Sequence, residues 1–257
     1  MKGGRTQSTV GPGPELVFVL PAYNEEANLP RLLDDLASRT ELMKRTYRVV
    51  IVDDGSQDST AAIVDAYEGP VPVEVIRLGE NQGPGAAFRV GFDAALRTCS
   101  DDALIVTLES DSTSDLDALP SMLERAEQEA DLVLASWLMQ NVSARRRFMS
   151  AAAGFVVRRM LHLEATTVSS FFRVYRATIL RRGLERYGDH LVEERGFACK
   201  AELLAKLTAV GARVEEVEVD LDWTRRTGKS KMPVVRTILC YWRMIARLRS
   251  SRATAPA

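Results

Sequence analysis

Five short apolar runs fall in the first 137 residues, each leading through a polar turn into helical periodicity, and this alternation constrains the fold more than any other feature. Residues 16–20 form a continuous apolar run that Pro21 should end, and Leu29, Leu32, Leu33 and Leu36 follow at helical spacing. Residues 48–52 are rich in β-branched side chains and lead into the turn Asp53-Asp54-Gly55-Ser56, then a helix over 60–67. A third strand is expected over 73–78, before a helix starting near Gly83 with Pro84 in its first turn. A fourth covers 103–108, Ser114-x-x-Asp117 is placed to cap a helix running to Glu129, and a fifth covers 132–137. Strands and helices alternating at this pitch predict an α/β fold: a mostly parallel sheet with helices on both faces. Ligands of such sheets sit at the carboxyl ends of the strands, where the polar segments 21–28, 53–60 and 109–115 all fall.

The rest of the chain is less regular. A basic amphipathic helix is expected over 144–161, a strand over 171–175, a helix over 197–210 and a strand over 213–219. A last amphipathic helix should begin near Pro233, with Val235, Ile238, Leu239, Trp242 and Ile245 on one face and Arg236, Arg243 and Arg247 on another. The expected division is a flexible leader over 1–14, one domain over 15–232, and the C-terminal helix and tail over 233–257.

At 257 residues with 46% apolar and 27% charged side chains, the chain can bury a core of its own and is not a disordered protein. Three widely spaced cysteines argue against a disulfide framework or a zinc site, and two histidines leave little material for His-based chemistry. No apolar run has the length of a spanning helix and the start carries no signal-peptide core, so a cytoplasmic protein is expected. Charge is unevenly placed. Residues 1–128 carry 11 Lys and Arg against 22 Asp and Glu, whereas 129–257 carry 23 against 13. A carboxylate-rich half suits a cation, and a basic half suits phosphates or an anionic surface; differing solvated faces would give the same count.

Glu109-Ser110-Asp111, directly after the fourth strand, offers hard oxygen ligands for Mg²⁺ or Mn²⁺, although a loop capping the next helix would have the same composition. Asp53 and Asp54 could accept hydrogen bonds from a base or a ribose, with a plain β-turn as the simpler reading. The stretch 81–87 could cradle phosphate at a helix N-terminus, but Phe88 breaks the dinucleotide fingerprint, and Gly228-Lys229-Ser230 lacks the first glycine of a P-loop.

Taken in order, Pro21-Ala22-Tyr23-Asn24-Glu25-Glu26, Asp53-Asp54-Gly55-Ser56, Asn81-x-Gly83-x-Gly85-x-Ala87 and the acidic x-Asp pair resemble the nucleotide-sugar half of inverting family-2 glycosyltransferases of the GT-A fold. Arg146-Arg147-Phe148-Met149-Ser150, the stretch from Ser169 to Arg176, Gly196-Phe197 with Glu202, and Arg225-x-x-Gly228-x-Ser230-Lys231 resemble the polyprenyl-phosphate (dolichol-phosphate) hexose synthases among them. The similarity spans roughly 16–232. It implies that Pro21, Tyr23, Glu25, Asp53 or Asp54 line the nucleoside pocket with Gly83 nearby, and that Glu109 and Asp111 hold Mg²⁺ or Mn²⁺ with Thr113 as a further ligand. It also implies that Arg146, Arg173, Arg225 and Lys231 neutralise the donor diphosphate and the acceptor phosphate. Catalytic weight would then rest on Asp111, Arg173, Arg225 and Lys231.

The resemblance implies a nucleotide-sugar donor and a polyprenyl-phosphate or other acceptor, with no nucleic acid. The Arg stripe and the Trp242/Ile245 face of the last helix fit an anionic membrane met peripherally at its cytoplasmic face, with packing on the domain or on a second copy of the chain as the simpler reading. A hydroxyl acceptor would call for a carboxylate base, for which Glu193 and Glu194 are candidates. The chain departs from the family pattern at Glu109 (usually Asp), at Ser114-Asp115-Leu116 (often His-x-Pro), at Thr167 (Asp), at Phe171 (Gly) and at Trp137 (Arg). These departures leave open a second function, a catalytically weak homologue that binds a nucleotide sugar or a partner.

Overall fold

The computed structural model describes residues 13–39, 45–138, 157–161, 164–168, 170–220 and 234–253. Among them a seven-stranded sheet runs through the molecule: β1 (Leu16–Ala22), β2 (Tyr47–Asp53), β3 (Val73–Arg77), β4 (Leu104–Thr107), β5 (Leu132–Leu138), β6 (Arg173–Arg176) and β7 (Val214–Asp220), in the spatial order β3-β2-β1-β4-β6-β5-β7. All neighbours are parallel except β6, which runs antiparallel to both β4 and β5. That reversal brings the start of β6 to the carboxyl end of β4, where Thr107 pairs with Arg173.

Strict alternation along β1 shows how the sheet is covered on both sides. Val17 and Val19 join one buried cluster, and Leu16, Phe18 and Leu20 the other. The first side is packed by α3 (Pro84–Thr98), α5 (Ala177–Tyr187), α6 (Cys199–Ala209) and, through Met244, Ile245 and Leu248, α7 (Val234–Ala253). The second is packed by α1 (Leu29–Ala37), α2 (Thr60–Asp65) and α4 (Leu119–Gln128). Leu29, Leu32, Leu33 and Leu36 are all buried, as their spacing predicts.

Several expectations need correction. β1 does not end at Pro21: the strand continues through Ala22, opposite Asp53, because the missing proline N–H costs little in the last rungs of a ladder. Ser114 does not cap α4, the helix expected to run to Glu129. Asp115 caps a 3₁₀ turn over Leu116–Ala118, accepting from the Asp117 amide, while the Ser114 hydroxyl turns to Glu109. The helix α5 was not foreseen, because Ala177 to Tyr187 alternates apolar and Arg/Glu residues without a start signal. The apolar face expected on α7 divides: Ile245 is buried, whereas Leu239 and Trp242 are each 52% exposed. Of the expected basic helix, residues 157–161 are described and are helical; the Arg145–Arg147 run lies outside the described residues, as do the side chains of Val235, Arg236 and Ile238.

Candidate functional site

The chain enters the sheet at β1, builds outward to β3, then crosses to β4 on the other side of β1. This change of direction opens a crevice at the carboxyl ends of β1 and β4, where open α/β sheets bind ligands. A hydrogen bond from Ser110 Oγ to the Pro21 carbonyl (2.8 Å) spans it, so β1 lies between the β2 tip with Asp53 and the β4 tip with Asp111, roughly 10 Å apart at ordinary strand spacing.

On the β2 side the two neighbouring aspartates have different tasks. Asp54 accepts from the amides of Gln82 (2.7 Å) and Gly83 (2.8 Å), which clamps the β3–α3 loop to the tip of β2. Burial pushes its carboxyl up, against the pull of those two amides. Asp53 Oδ1 accepts from the Ser56 amide at 3.0 Å, and its Oδ2 has no hydrogen-bond partner among the described residues. Asp53 is therefore engaged through one carboxylate oxygen and Asp54 through both. The β1–α1 turn is pinned to the same place: Asn24, at φ 53°, donates from its amide to Ser56 Oγ (2.9 Å) and accepts from the Gln57 amide (2.8 Å). Glu25 is buried, donates from its amide to Thr60 Oγ1 (2.7 Å) and accepts from Asn28 Nδ2 (2.7 Å); its carboxylate secures the turn, and the half-buried Tyr23 and Pro21 border the crevice.

On the β4 side, Asp111 is buried beside the crevice, and its Oδ1 accepts from both the amide (3.2 Å) and the hydroxyl (2.6 Å) of Thr113. Thr113 thus orients Asp111 by donating its hydroxyl proton to the carboxylate, which leaves the lone pairs of its oxygen for the ligation expected of it. Ser112 sits at φ 59°, which gives this loop its sharp reversal. Glu109, one methylene longer than aspartate, reaches back into the protein: Oε2 accepts from Ser114 Oγ (3.0 Å) and Oε1 from the Phe171 amide (3.2 Å). Burial raises its carboxyl, the nearby Lys200 ammonium opposes that, and Asp111 adds to it.

Among the described residues no three His, Cys, Asp or Glu side chains form a metal cluster. The donor chemistry still suits Mg²⁺ or Mn²⁺, which need only one or two protein carboxylates when a substrate diphosphate completes the shell. Glu109 and Asp111 are the carboxylates that the β4 tip places for that role, and each oxygen of Glu109 also accepts one bond from the protein.

Two residues of the expected site are turned inward by the geometry. Gly83 offers no amide to a ligand phosphate, in keeping with the loop reading that Phe88 already disfavours. Its amide is held by Asp54, and the next free amide of α3, that of Gly85, donates to the Arg195 carbonyl at 2.8 Å. A Cβ on Gly83 would lie 2.4 Å from the Arg195 oxygen and one on Gly85 1.8 Å from the Glu194 oxygen, so both glycines are required by the close docking of the 194–195 backbone. Nor does Arg173 reach a phosphate: it is 1% exposed, and its guanidinium donates to the carbonyls of Ser170 (2.8 Å), Lys200 (2.9 Å) and Val168 (3.1 Å). A guanidinium's fork of donors suits it to tie a loop, a strand start and a helix start together. Arg146, Arg225 and Lys231 lie outside the described residues.

Glu193 and Glu194 belong to a different cluster. Lys206 Nζ meets Glu193 (2.9 Å) and Glu202 (2.8 Å), and Arg247 of α7 meets Glu194 (3.0 Å) and Glu202 (2.7 Å). Burial would raise the Glu193 carboxyl, but Lys206, Arg247 and His190 outweigh it and hold it low. That pairing makes Glu193 a poor proton acceptor. It also removes Arg247 from the basic face expected of α7.

Sequence reasoning missed Lys200. It is 9% exposed at the start of α6, with Nζ 4.0 Å from the Phe171 ring centroid and 5.5 Å from that of Phe197. The available signal was a lysine inside the apolar run 197–207, a position that requires a reason.

Comparison with known proteins agrees with this fold. Residues 17–184 match Glycosyl transferase family 2, and the chain belongs to that family. It is a glycosyltransferase with a GT-A-like sheet. Over 242 residues it is 28% identical to an undecaprenyl-phosphate 4-deoxy-4-formamido-L-arabinose transferase of Shewanella sediminis, covering 93% of this chain and 67% of that protein. Over 237 residues it is 29% identical to a polyprenol monophosphomannose synthase of Mycolicibacterium smegmatis, covering 89% of this chain and 85% of that one. The fold resembles glucosyl-3-phosphoglycerate synthase of Mycobacterium tuberculosis, crystallised with Mn²⁺, UDP and phosphoglyceric acid (TM-score 0.66, 18% identity, covering 95% of this chain and 80% of that one).

Proposed function

We propose that this chain moves a hexose, with inversion, from a nucleotide sugar to a polyprenyl phosphate. The observation that carries the reading is the placement of Asp53 and Asp111 on either side of the β1 tip, one engaged through a single oxygen by Ser56 and the other oriented by Thr113. Relatives named for sugar transfer to undecaprenyl phosphate and for polyprenol monophosphomannose synthesis support the acceptor class. The GT-A-like neighbour crystallised with Mn²⁺ and UDP supports a metal-bound diphosphate.

Residues 15–232 serve as the transferase domain. Asp53 accepts hydrogen bonds from the base or ribose, with Tyr23 and Pro21 along the wall. A divalent cation, Mg²⁺ or Mn²⁺, held by Asp111 would offset the negative charge that develops on the leaving diphosphate. Arg146, Arg225 and Lys231 add guanidinium and ammonium charge to the two phosphate groups. The acceptor phosphate oxygen, already ionised at neutral pH, attacks the anomeric carbon as the bond to the diphosphate breaks on the opposite side. No general base is needed, which agrees with Glu193 being held in ion pairs.

Incubation with radiolabelled GDP- and UDP-hexoses, a short-chain polyprenyl phosphate and Mg²⁺ or Mn²⁺ should yield labelled lipid. Tight nucleotide-sugar binding with no turnover on any acceptor would replace this reading with that of a binding module. Turnover on hydroxyl acceptors alone would overturn the lipid-phosphate assignment.

Among the described residues no helix is long and apolar enough to cross a membrane. The exposed Leu239 and Trp242 of α7 support peripheral contact with an anionic cytoplasmic membrane face, where such an acceptor resides. Flotation with anionic vesicles tests this; protein left at the bottom of the gradient, and dimeric by light scattering, would assign that face to a second copy instead.

A further inference from the structure

Lys200 is a buried cation with an unusual surplus. Its side chain is 9% exposed, yet no hydrogen-bond acceptor or ion-pair partner stands within reach of its ammonium among the described residues. What holds it is aromatic, the faces of Phe171 and Phe197. Burying an ammonium without acceptors is expensive, and two cation–π contacts return only part of that cost. Helix α6 shows the ordinary solution one and a half turns later, where Lys206 is saturated by Glu193, Glu202 and the His190 carbonyl. Nothing in the packing forces Lys200 to remain bare.

Its position supplies the reason. Phe171, whose ring carries the ammonium, donates its amide to Glu109, and the Lys200 carbonyl is fixed by Arg173. The ring that carries Nζ is thereby fixed beside the β4 tip, since its own amide is bonded to Glu109 there, and the charges of Glu109 and Asp111 act on the ammonium. Phosphate oxygens entering beside Asp111 would give the ammonium the acceptors it lacks, and a phosphate is the ligand class that a single strongly hydrated cation in a sequestered site best recognises.

We propose that Lys200 is a phosphate-contacting residue of the transfer site, binding phosphate oxygens beside Asp111. This rests on the glycosyltransferase reading above and adds to it a contact that no motif of the sequence supplies. The phosphate can be that of the donor diphosphate or that of the lipid acceptor, and the two are separable.

The test compares wild type with Lys200→Met, Lys200→Gln and Lys200→Arg. Calorimetry measures UDP and GDP binding with and without Mn²⁺, and separately the binding of a short-chain polyprenyl phosphate. Loss of the charge should weaken one of these ligands at least tenfold, with Lys200→Arg recovering part of the loss. The thermal midpoint of the unliganded Met variant should hold or rise, because an unpartnered buried charge has been removed, a pattern that a purely structural lysine would not give. Weakening confined to the nucleotides assigns the donor diphosphate, and weakening confined to the lipid assigns the acceptor. If wild type binds and the Met and Gln variants bind both ligands equally well, the proposal is overturned while the glycosyltransferase reading stands. If wild type binds none of these phosphates, both fall.

Discussion

The two ends of helix α6 carry the same kind of residue to opposite effect. At its far end Lys206 closes a network with Glu193, Glu202 and, through Arg247, helix α7; Glu202 is 0% exposed and every charge has a counter-charge. At its near end Lys200 is held by rings, and Glu109 and Asp111 act on it through their charge. A buried network satisfied by the protein itself stabilises one arrangement, whereas one left short of partners has capacity for a ligand. The difference teaches where to look: buried charge is common to both regions, and the two differ in how far the protein itself meets it.

The sharpest way to break the comparison is Lys206→Met, which leaves Glu193 and Glu202 short of a cation. It should lower unfolding free energy by about 3–5 kcal/mol, read by urea denaturation. Asp111→Asn belongs to the open region and should do the reverse. Transfer activity should fall by about 10²–10³-fold, the scale of losing a preorganised charge at a transition state, with the denaturation midpoint nearly unchanged. A smaller effect is expected where the two halves dock. Gly85→Ala places a methyl against the Glu194 carbonyl and should cost about 1–3 kcal/mol of stability, again by denaturation, while Gly79→Ala, with no atom within 4 Å of the built Cβ, tests the strain of its positive φ (75°) alone.

The mildest test is pH. Glu193 has its carboxyl held below its ordinary 4.5, so its contribution is present above that value and is lost as pH falls through the lower folded value. Glu193→Gln should flatten the acid limb of the stability profile, and an unchanged limb would show that the closed network does not depend on its charge.

Much of the fold was legible because its determinants are local. Apolar runs of strand length, a proline suited to a first turn at Pro84 and the leucine spacing of α1 each specify an element without reference to the rest of the chain. The strand-end carboxylates were legible for the same reason, since a parallel sheet places them by topology. What lay hidden depends on partners distant in sequence. Asp53 and Asp54 are equivalent as letters, and only the approach of Gln82 and Gly83 separates them. Arg173 reads as a phosphate ligand until Val168, Ser170 and Lys200 present their carbonyls to it. Glu109 reads as an aspartate substitute, yet its extra methylene lets it reach the Phe171 amide.

One docking contact reaches beyond stability. With the Asp54 carboxylate and the Arg195 carbonyl seated on the first amides of α3, the positive end of that helix is spent within the protein. Attraction for an anionic substrate then falls to side-chain charges and to the cation proposed at Asp111, which dissolved ions screen more readily than a buried backbone dipole. Donor affinity should accordingly decline as ionic strength rises, making salt concentration a control that any assay of this protein has to hold fixed.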